Sequence, residues 1–363
     1  MPDIHTSQIS ELFQTQNLQV IFRSDHPMQW RAGLDGFDYV PVLYSDDMIR
    51  YNHAYLDPVD AQFRDISVLI QEQNRIVAVW PLSLSSNADG AFQVTSQGAA
   101  ILPPLLAPHL PKKSCTRLLG RCFDFLSALC ATYGIATFHS LDLYRGLSDP
   151  GVSLWQNICA ERGAHLAVEH CLMGDLNLTL SEYKSQIRKS YKSLITSGQK
   201  QWSIKIPSPG ALDEPWVAFQ ALHAKAAGRI TRTEKTWDIQ KQLAEEEAAF
   251  LVYSQDDAGQ MIGAAYFNIS KDEAYYSIGA YDRALFDRPI AHVLQFTAIG
   301  EMMRRGLRCY RIGPYAYPWQ TPEPTDKLLN ISKFKSGFAT HKALEVSILH
   351  KMPVSTATDH ARP

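Results

Sequence analysis

One ordered pattern occurs twice, about half a chain apart, and it restricts the fold more than any single motif does. In the first copy, Ser67-Val68-Leu69-Ile70 and Ile76-Val77-Ala78-Val79-Trp80 flank a short polar turn, which predicts a hairpin of β-branched strands. In the second, Phe250-Leu251-Val252-Tyr253 and Met261-Ile262-Gly263-Ala264-Ala265-Tyr266-Phe267 flank a turn holding Asp256-Asp257-Ala258-Gly259. Each hairpin leads, after more strand-like sequence, to a helix that stops at a glycine and runs straight into a strand. The first such helix covers Lys113 to Tyr133, Gly134 ends it, and Ile135-Ala136-Thr137-Phe138 begins the strand. In the second copy Pro289 suits a first helical turn, the helix runs to Arg305, Gly306 ends it, and Leu307 to Ile312 is the strand. Residue identity between the copies is negligible, so chance recurrence of a common strand–helix–strand order stands beside duplication as an explanation.

A chain of 363 residues exceeds what one hydrophobic core comfortably serves, so two domains are expected. The capping-box pattern Thr179-Leu180-Ser181-Glu182 opens a helix ending near Gly198 and marks the start of the second half. The expected boundaries are 18–175 and 176–350, with the non-periodic ends 1–17 and 353–363 flexible. With 45% hydrophobic and 20% charged residues the chain belongs with globular proteins, away from the disordered class. A net charge of −2 excludes a wholly basic nucleic-acid binder and argues against DNA, while leaving room for a local basic surface. There is no apolar run long enough to span a membrane and no signal-peptide pattern, so a cytoplasmic location is expected. Six cysteines without a CxxC pair or a zinc-like grouping read as small core residues, and no metal is expected.

Chemistry-bearing side chains gather after residue 180. Lys184, Arg188 and Lys192 lie four apart and share one face of the expected helix, which reads either as a solvated surface or as a stripe facing an anion. The segment His223 to Trp237 breaks from a helical run at Gly228 and holds His223, Arg229, Arg232, Glu234, Lys235 and Trp237, a substrate-binding loop or an ordinary polar one. Next, the strand end Tyr281-Asp282-Arg283 leads to Arg288 and Pro289 at a helix mouth, where free N–H groups favour an anion. His292 shares a stripe with Phe296, Ile299 and Met303, so it is either a core histidine or a ligand-binding one. A proline-rich stretch, Gly313 to Pro324, carries Tyr315 and reads as a substrate-covering loop, and Lys333 and Lys335 follow among aromatics. The chain lacks a P-loop, a GxGxxG after a strand, a GxSxG elbow and an HExxH, which weakens NTPase, dehydrogenase, serine-hydrolase and zinc-protease readings.

From Thr179 to Phe338 the sequence resembles the Fem-type aminoacyltransferases, a branch of the GNAT acyltransferase superfamily built from two GNAT-like halves. The resemblance rests on the basic helix Ile187 to Leu194, the strands around Gly263, the strand end Tyr276 to Asp282, and Phe334-Lys335. The N-terminal half fits through its hairpin and the Gly98 to Pro104 turn. It implies an α/β (α+β) fold of two tandem GNAT-like domains, each a mixed, mostly antiparallel sheet flanked by helices. It further implies transfer of an activated acyl group to an amine in a cleft between the halves, with Lys335 near the donor and Arg188 contacting an acidic substrate. No long charged coiled-coil insertion and no Q/R-x-x-G-x-G/A pyrophosphate loop is present, so acyl-CoA and aminoacyl-tRNA both stay open as donor substrates, neither permanently bound.

The expected acceptor is a small molecule or glycan precursor, an amino sugar or another component of a surface polymer. Aminolysis needs a neutral amine and stabilisation of a developing oxyanion. Lys335 is the candidate for the latter, His223 or His292 for the base, and Asp282 for a fallback base. Arg229, Arg232, Arg283 and Arg288 suit phosphates or carboxylates, with Trp237, Tyr281, Tyr315 and Lys333 as further binding residues. Two alternatives remain at this point: a catalytically inactive protein of the same fold that binds a phosphorylated or nucleotide-linked ligand, and an RNA-binding module using the Lys184 stripe.

Overall fold

The computed structural model describes residues 4–56, 62–143 and 151–353. In chain order the first half contains α1 (Thr6–Thr15), β1 (Gln19–Phe22), α2 (Pro27–Asp35), α3 (Asp46–Leu56), β2 (Gln62–Asp65), β3 (Val68–Glu72), β4 (Arg75–Trp80), β5 (Ser83–Ser86), β6 (Phe92–Thr95), β7 (Leu105–Leu106), α4 (Lys112–Tyr133), β8 (Thr137–Asp142), α5 (Leu154–Glu161) and β9 (His165–Asp175). The second contains α6 (Leu180–Gln186), α7 (Lys189–Gln201), β10 (Ile204–Lys205), α8 (Asp213–Ala227), α9 (Glu234–Glu245), β11 (Ala249–Gln255), β12 (Met261–Ile269), β13 (Glu273–Tyr281), α10 (Ile290–Arg304), β14 (Cys309–Pro314), α11 (Asp326–Ser336) and β15 (His341–Lys351).

Local chemistry accounts for many boundaries. The β3–β4 hairpin turns through Gln73 and Asn74, both with positive φ, the geometry that matches the twist of flanking strands. Gly134 ends α4 in the left-handed conformation (φ 67°), its N–H bonded to the Cys130 carbonyl. Thr179 and Glu182 close the expected capping box on α6.

Two expectations fail. Residues 1–17 were expected to be flexible, but α1 buries Ile9 and Phe13, and Phe13 stacks on Phe125 of α4 at 3.7 Å. The Ile9–Phe13 spacing of four, a one-face signal, outweighs the polar residues between them. The tail expected to be flexible lies outside the described residues from 354 onward. The basic helix is also broken: α6 stops at Gln186, Arg188 is extended (φ −44°, ψ 130°), and α7 begins at Lys189. The Arg188 N–H donates to the Gly337 carbonyl at 2.9 Å rather than continuing the helix, so Lys184, Arg188 and Lys192 do not share a face.

The sheet carries a strand exchange. After β8 or β14, each half adds a helix and one long strand, and that strand pairs with the other half. Thus β9 runs antiparallel to β14, from Asp175↔Cys309 to Cys171↔Pro314, and β15 runs antiparallel to β8, from Val346↔Asp142 to Lys351↔Thr137. The two long strands also pair with each other over 165–173 and 341–349. Outward from them the pattern repeats, because β14 is parallel to β13 and β8 makes a parallel bridge to Ile101. The eight-stranded order β10-β11-β12-β13-β14-β9-β15-β8 therefore unites both halves.

Buried charge fastens the seam. The segment after α2 docks on the β12–β13 turn: the Val40 N–H donates to Asp272 (2.9 Å), and the Val42 N–H and Tyr39 hydroxyl donate to Glu273 (3.1 and 2.5 Å). Arg311, 3% exposed, pairs with Glu273 at 3.2 Å and with Glu345 of β15. All six cysteines are buried. Among the described residues no helix is long and apolar enough to cross a membrane.

Candidate active site

The parallel strands β13 and β14 pair for only three residues, Glu273↔Cys309 to Tyr275↔Arg311, and then separate. β14 shifts register against β9 between Arg311 and Gly313, and Gly313 sits at φ 128°, a conformation open to glycine. Beyond Tyr275, the edge of β13 that faces β14 has no strand partner among the described residues. The result is a fork with free backbone groups on one arm.

Side chains from four elements meet there. The Tyr276 and Tyr281 hydroxyls of β13 lie 3.1 Å apart. Gly279 makes room for them, since a Cβ on it would lie 2.1 Å from the Tyr276 oxygen. Behind them Gln295 of α10, 1% exposed, accepts from the Tyr310 hydroxyl at 2.6 Å, while its Nε2 has no hydrogen-bond partner. Lys335 reaches in from α11, with Nζ 5.0 Å from the Tyr276 ring and 3.0 Å from where a Cβ on Gly313 would stand. Burial holds this ammonium below the usual lysine range and desolvation pushes both phenols up, so the fork stocks protonated tyrosines beside a destabilised cation.

The first half fills the equivalent place. Ser140 of β8 donates to the Ile101 carbonyl (2.7 Å) and accepts from the Trp155 indole (3.0 Å), and the Trp80 indole donates to the Leu102 carbonyl (2.9 Å). Its counterpart of β13 is interrupted by Gln97 and Gly98, both with positive φ. One fork is open and the other is plugged.

Residues 181–321 match the family model described as an acetyltransferase (GNAT) domain. The chain superposes on the crystal structure of FemX with a TM-score of 0.65 at 10% identity, over 88% of this chain and 95% of that one. The fold is Fem-like, a tandem of two GNAT halves. A tandem GNAT protein from the clavulanic acid biosynthesis pathway gives a TM-score of 0.50 at 13% identity (93% and 99% covered), and L-PGS from Bacillus licheniformis gives 0.54 at 11% (90% and 91%). No curated protein sequence matches the chain. The matched span contains both arms of the fork and stops before α11, so Lys335 lies outside it.

Within this tandem GNAT fold the residues singled out from sequence fall into separate places. Lys335 and Tyr281 meet at the fork. His292, at the start of α10, is boxed by the rings of Tyr191, Phe334 and Phe338, and its Nδ1 is buried without a partner. Burial and then Arg188 push its pKa down to about 4, which makes it a weak base at neutral pH. Arg188 is a tether: it donates to the Lys333 carbonyl (2.8 Å), Ser336 (2.9 Å) and Tyr191 (3.0 Å), joining α7 to α11, with the Lys333 ammonium left exposed.

His223, Arg232 and Trp237 sit elsewhere, on the sheet face covered by α8 and α9 rather than the face covered by α10. The expected loop is only 228–233, because the His223 and Trp237 ends belong to α8 and α9. Trp237 packs edge-on against Trp216 and Phe219 as core. Asp282 is occupied as well: it caps the turn Arg283–Leu285 through the Ala284 N–H and pairs with Lys225 at 2.9 Å, which keeps its carboxyl below the usual range and poorly suited to a base. Arg283 donates to the Ala226 carbonyl, while Arg229 and Arg288 are exposed. Tyr315 lies under the Lys342 ammonium at 3.5 Å, at the start of a loop whose Trp319 is 76% exposed. Sequence reasoning missed Gln295, Gly279 and Gly313 as site-forming positions. The two glycines carried a signal, since each interrupts a strand where a close approach is the usual reason.

Proposed function

We propose that this chain is an amide-forming N-acyltransferase whose activated acyl group enters the fork between β13 and β14. The observation that carries the reading is the Lys335 ammonium standing over Gly313 between diverging parallel strands, without a hydrogen bond or ion pair of its own among the described residues. The unpaired β13 edge suits the amide groups of an extended donor, as in strand addition. The acceptor amine attacks the acyl carbonyl, the C–S or C–O bond to the donor breaks, and the leaving group takes a proton. Lys335 stabilises the oxygen that becomes negative, and the Tyr276–Tyr281 pair gives the leaving group its proton and recovers one from the attacking nitrogen as the amide forms.

The donor is an acyl-CoA or an aminoacyl-tRNA, and the acceptor an amino sugar or another small glycan precursor, in a cytoplasmic setting. Incubation of the pure protein with acyl-CoAs, and separately with aminoacyl-tRNAs, against amino-sugar nucleotides should yield an amide product by mass spectrometry. Absence of product with both donor classes refutes the reading.

A further inference from the structure

On the sheet face opposite the fork, α8 and α9 border a groove of about 680 Å³. Its wall is apolar: Trp216 and Trp237 line it, with Val217 (66% exposed) and Ile230 (84% exposed) at the rim. Arg232 projects into the same groove. Its Nε donates to the Tyr51 hydroxyl at 3.1 Å, and NH1 to His223 Nε2 at 2.8 Å and Thr231 Oγ1 at 3.3 Å. The guanidinium lies 5.5 Å from the Trp237 ring.

All of these partners are neutral. His223 accepts at Nε2, so it is unprotonated, in keeping with a pKa that burial and Arg232 push down to about 4. Among the described residues no carboxylate pairs with Arg232, whereas the buried Arg23 and Arg311 each hold two. A half-buried cation held by neutral groups has lost water without gaining a counter-ion, a cost that an incoming anion offsets. Tyr51 belongs to α3, so the first half orients the arginine and the second provides the wall.

We infer that this groove binds a small organic carboxylate with an apolar body, the carboxylate meeting Arg232 and the body lying along Trp216, Val217 and Ile230. A monoanion is favoured over a phosphate dianion because Glu234 and Asp238 also line the groove. The inference is independent of the acyl-transfer reading, since the fork lies on the other face.

Calorimetric titration of the full chain with 3-phenylpropionate, its neutral amide and phenyl phosphate tests it. The acid should bind at least about tenfold more tightly than the amide and more tightly than the phosphate. Arg232→Gln should weaken the acid about tenfold or more, Arg232→Lys should keep an intermediate affinity and so control for folding, and Lys335→Met should leave it unchanged. Equal binding of acid and amide, no binding of any of the three, tighter phosphate binding, or an Arg232→Gln protein that binds normally would each overturn the inference.

Discussion

Acidification should weaken this protein through His292, by an amount that follows from where the ring sits. The folded ring titrates near 4 against 6.5 for a solvated histidine, because it lies among Tyr191, Phe334 and Phe338 and near Arg188. Its folded pKa is depressed, so in acid the unfolded chain binds a proton that the folded protein refuses. Stability is therefore intact above pH 6.5 and falls as pH drops toward 4. From pH 7 to pH 5 this one ring should cost about 1.8 kcal/mol, approaching about 3 kcal/mol below pH 4. Replacement by phenylalanine removes the titration and forfeits no hydrogen bond at Nδ1, which has none. Urea unfolding of wild type and His292→Phe at pH 5, 6 and 7 should give curves that diverge as pH falls, the variant losing about 1.8 kcal/mol less. His223, His341 and His350 are lowered too, but they are present in both proteins and cancel in the comparison. Parallel pH profiles for the two proteins would refute the argument.

At the seam, Arg311→Met leaves Glu273 and Glu345 buried without their cation and should cost about 3–5 kcal/mol in denaturant unfolding, with recovery when both glutamates become glutamine. A loss under about 1 kcal/mol would mean that the network contributes little. In the fork, Lys335→Met should lower kcat for amide formation about a hundredfold while circular dichroism stays unchanged, and normal turnover would remove the lysine from the mechanism. Gly279→Ala drives a methyl into the Tyr276 hydroxyl and should cost about 1–3 kcal/mol of stability along with turnover, measurable by thermal unfolding and product assay.

The elements that sequence revealed are those whose cause is local. Gln73-Asn74, Gly134, Gly306 and the Thr179–Glu182 box each set their boundary through neighbours a few residues away, so their signals are contained in short windows. What was hidden depends on distant partners. The break at Arg188 exists because the Gly337 carbonyl receives its N–H, and nothing between 181 and 198 announces that acceptor. The division of the candidate residues between two sheet faces was equally illegible: His223 and Lys335 both looked like site residues, but α8 and α11 pack on opposite faces of one sheet. The strand exchange was hidden for the same reason, since β9 pairs with β14 and β15 with β8, partners more than a hundred residues away.

That exchange has a bearing on how the chain is made. β8 is translated long before its neighbour β15; His139 and Ser347, bonded across the pair at 2.6 Å, are 208 residues apart. β9 meets both of its partners, β14 and β15, only after most of the second half has been translated. The first half therefore leaves the ribosome with an open strand edge and with Leu166 and Val168 on a strand still waiting for company. A stop codon placed between the halves would release not a smaller protein but an unfinished sheet, and the N-terminal half can be completed only once β15 has been translated.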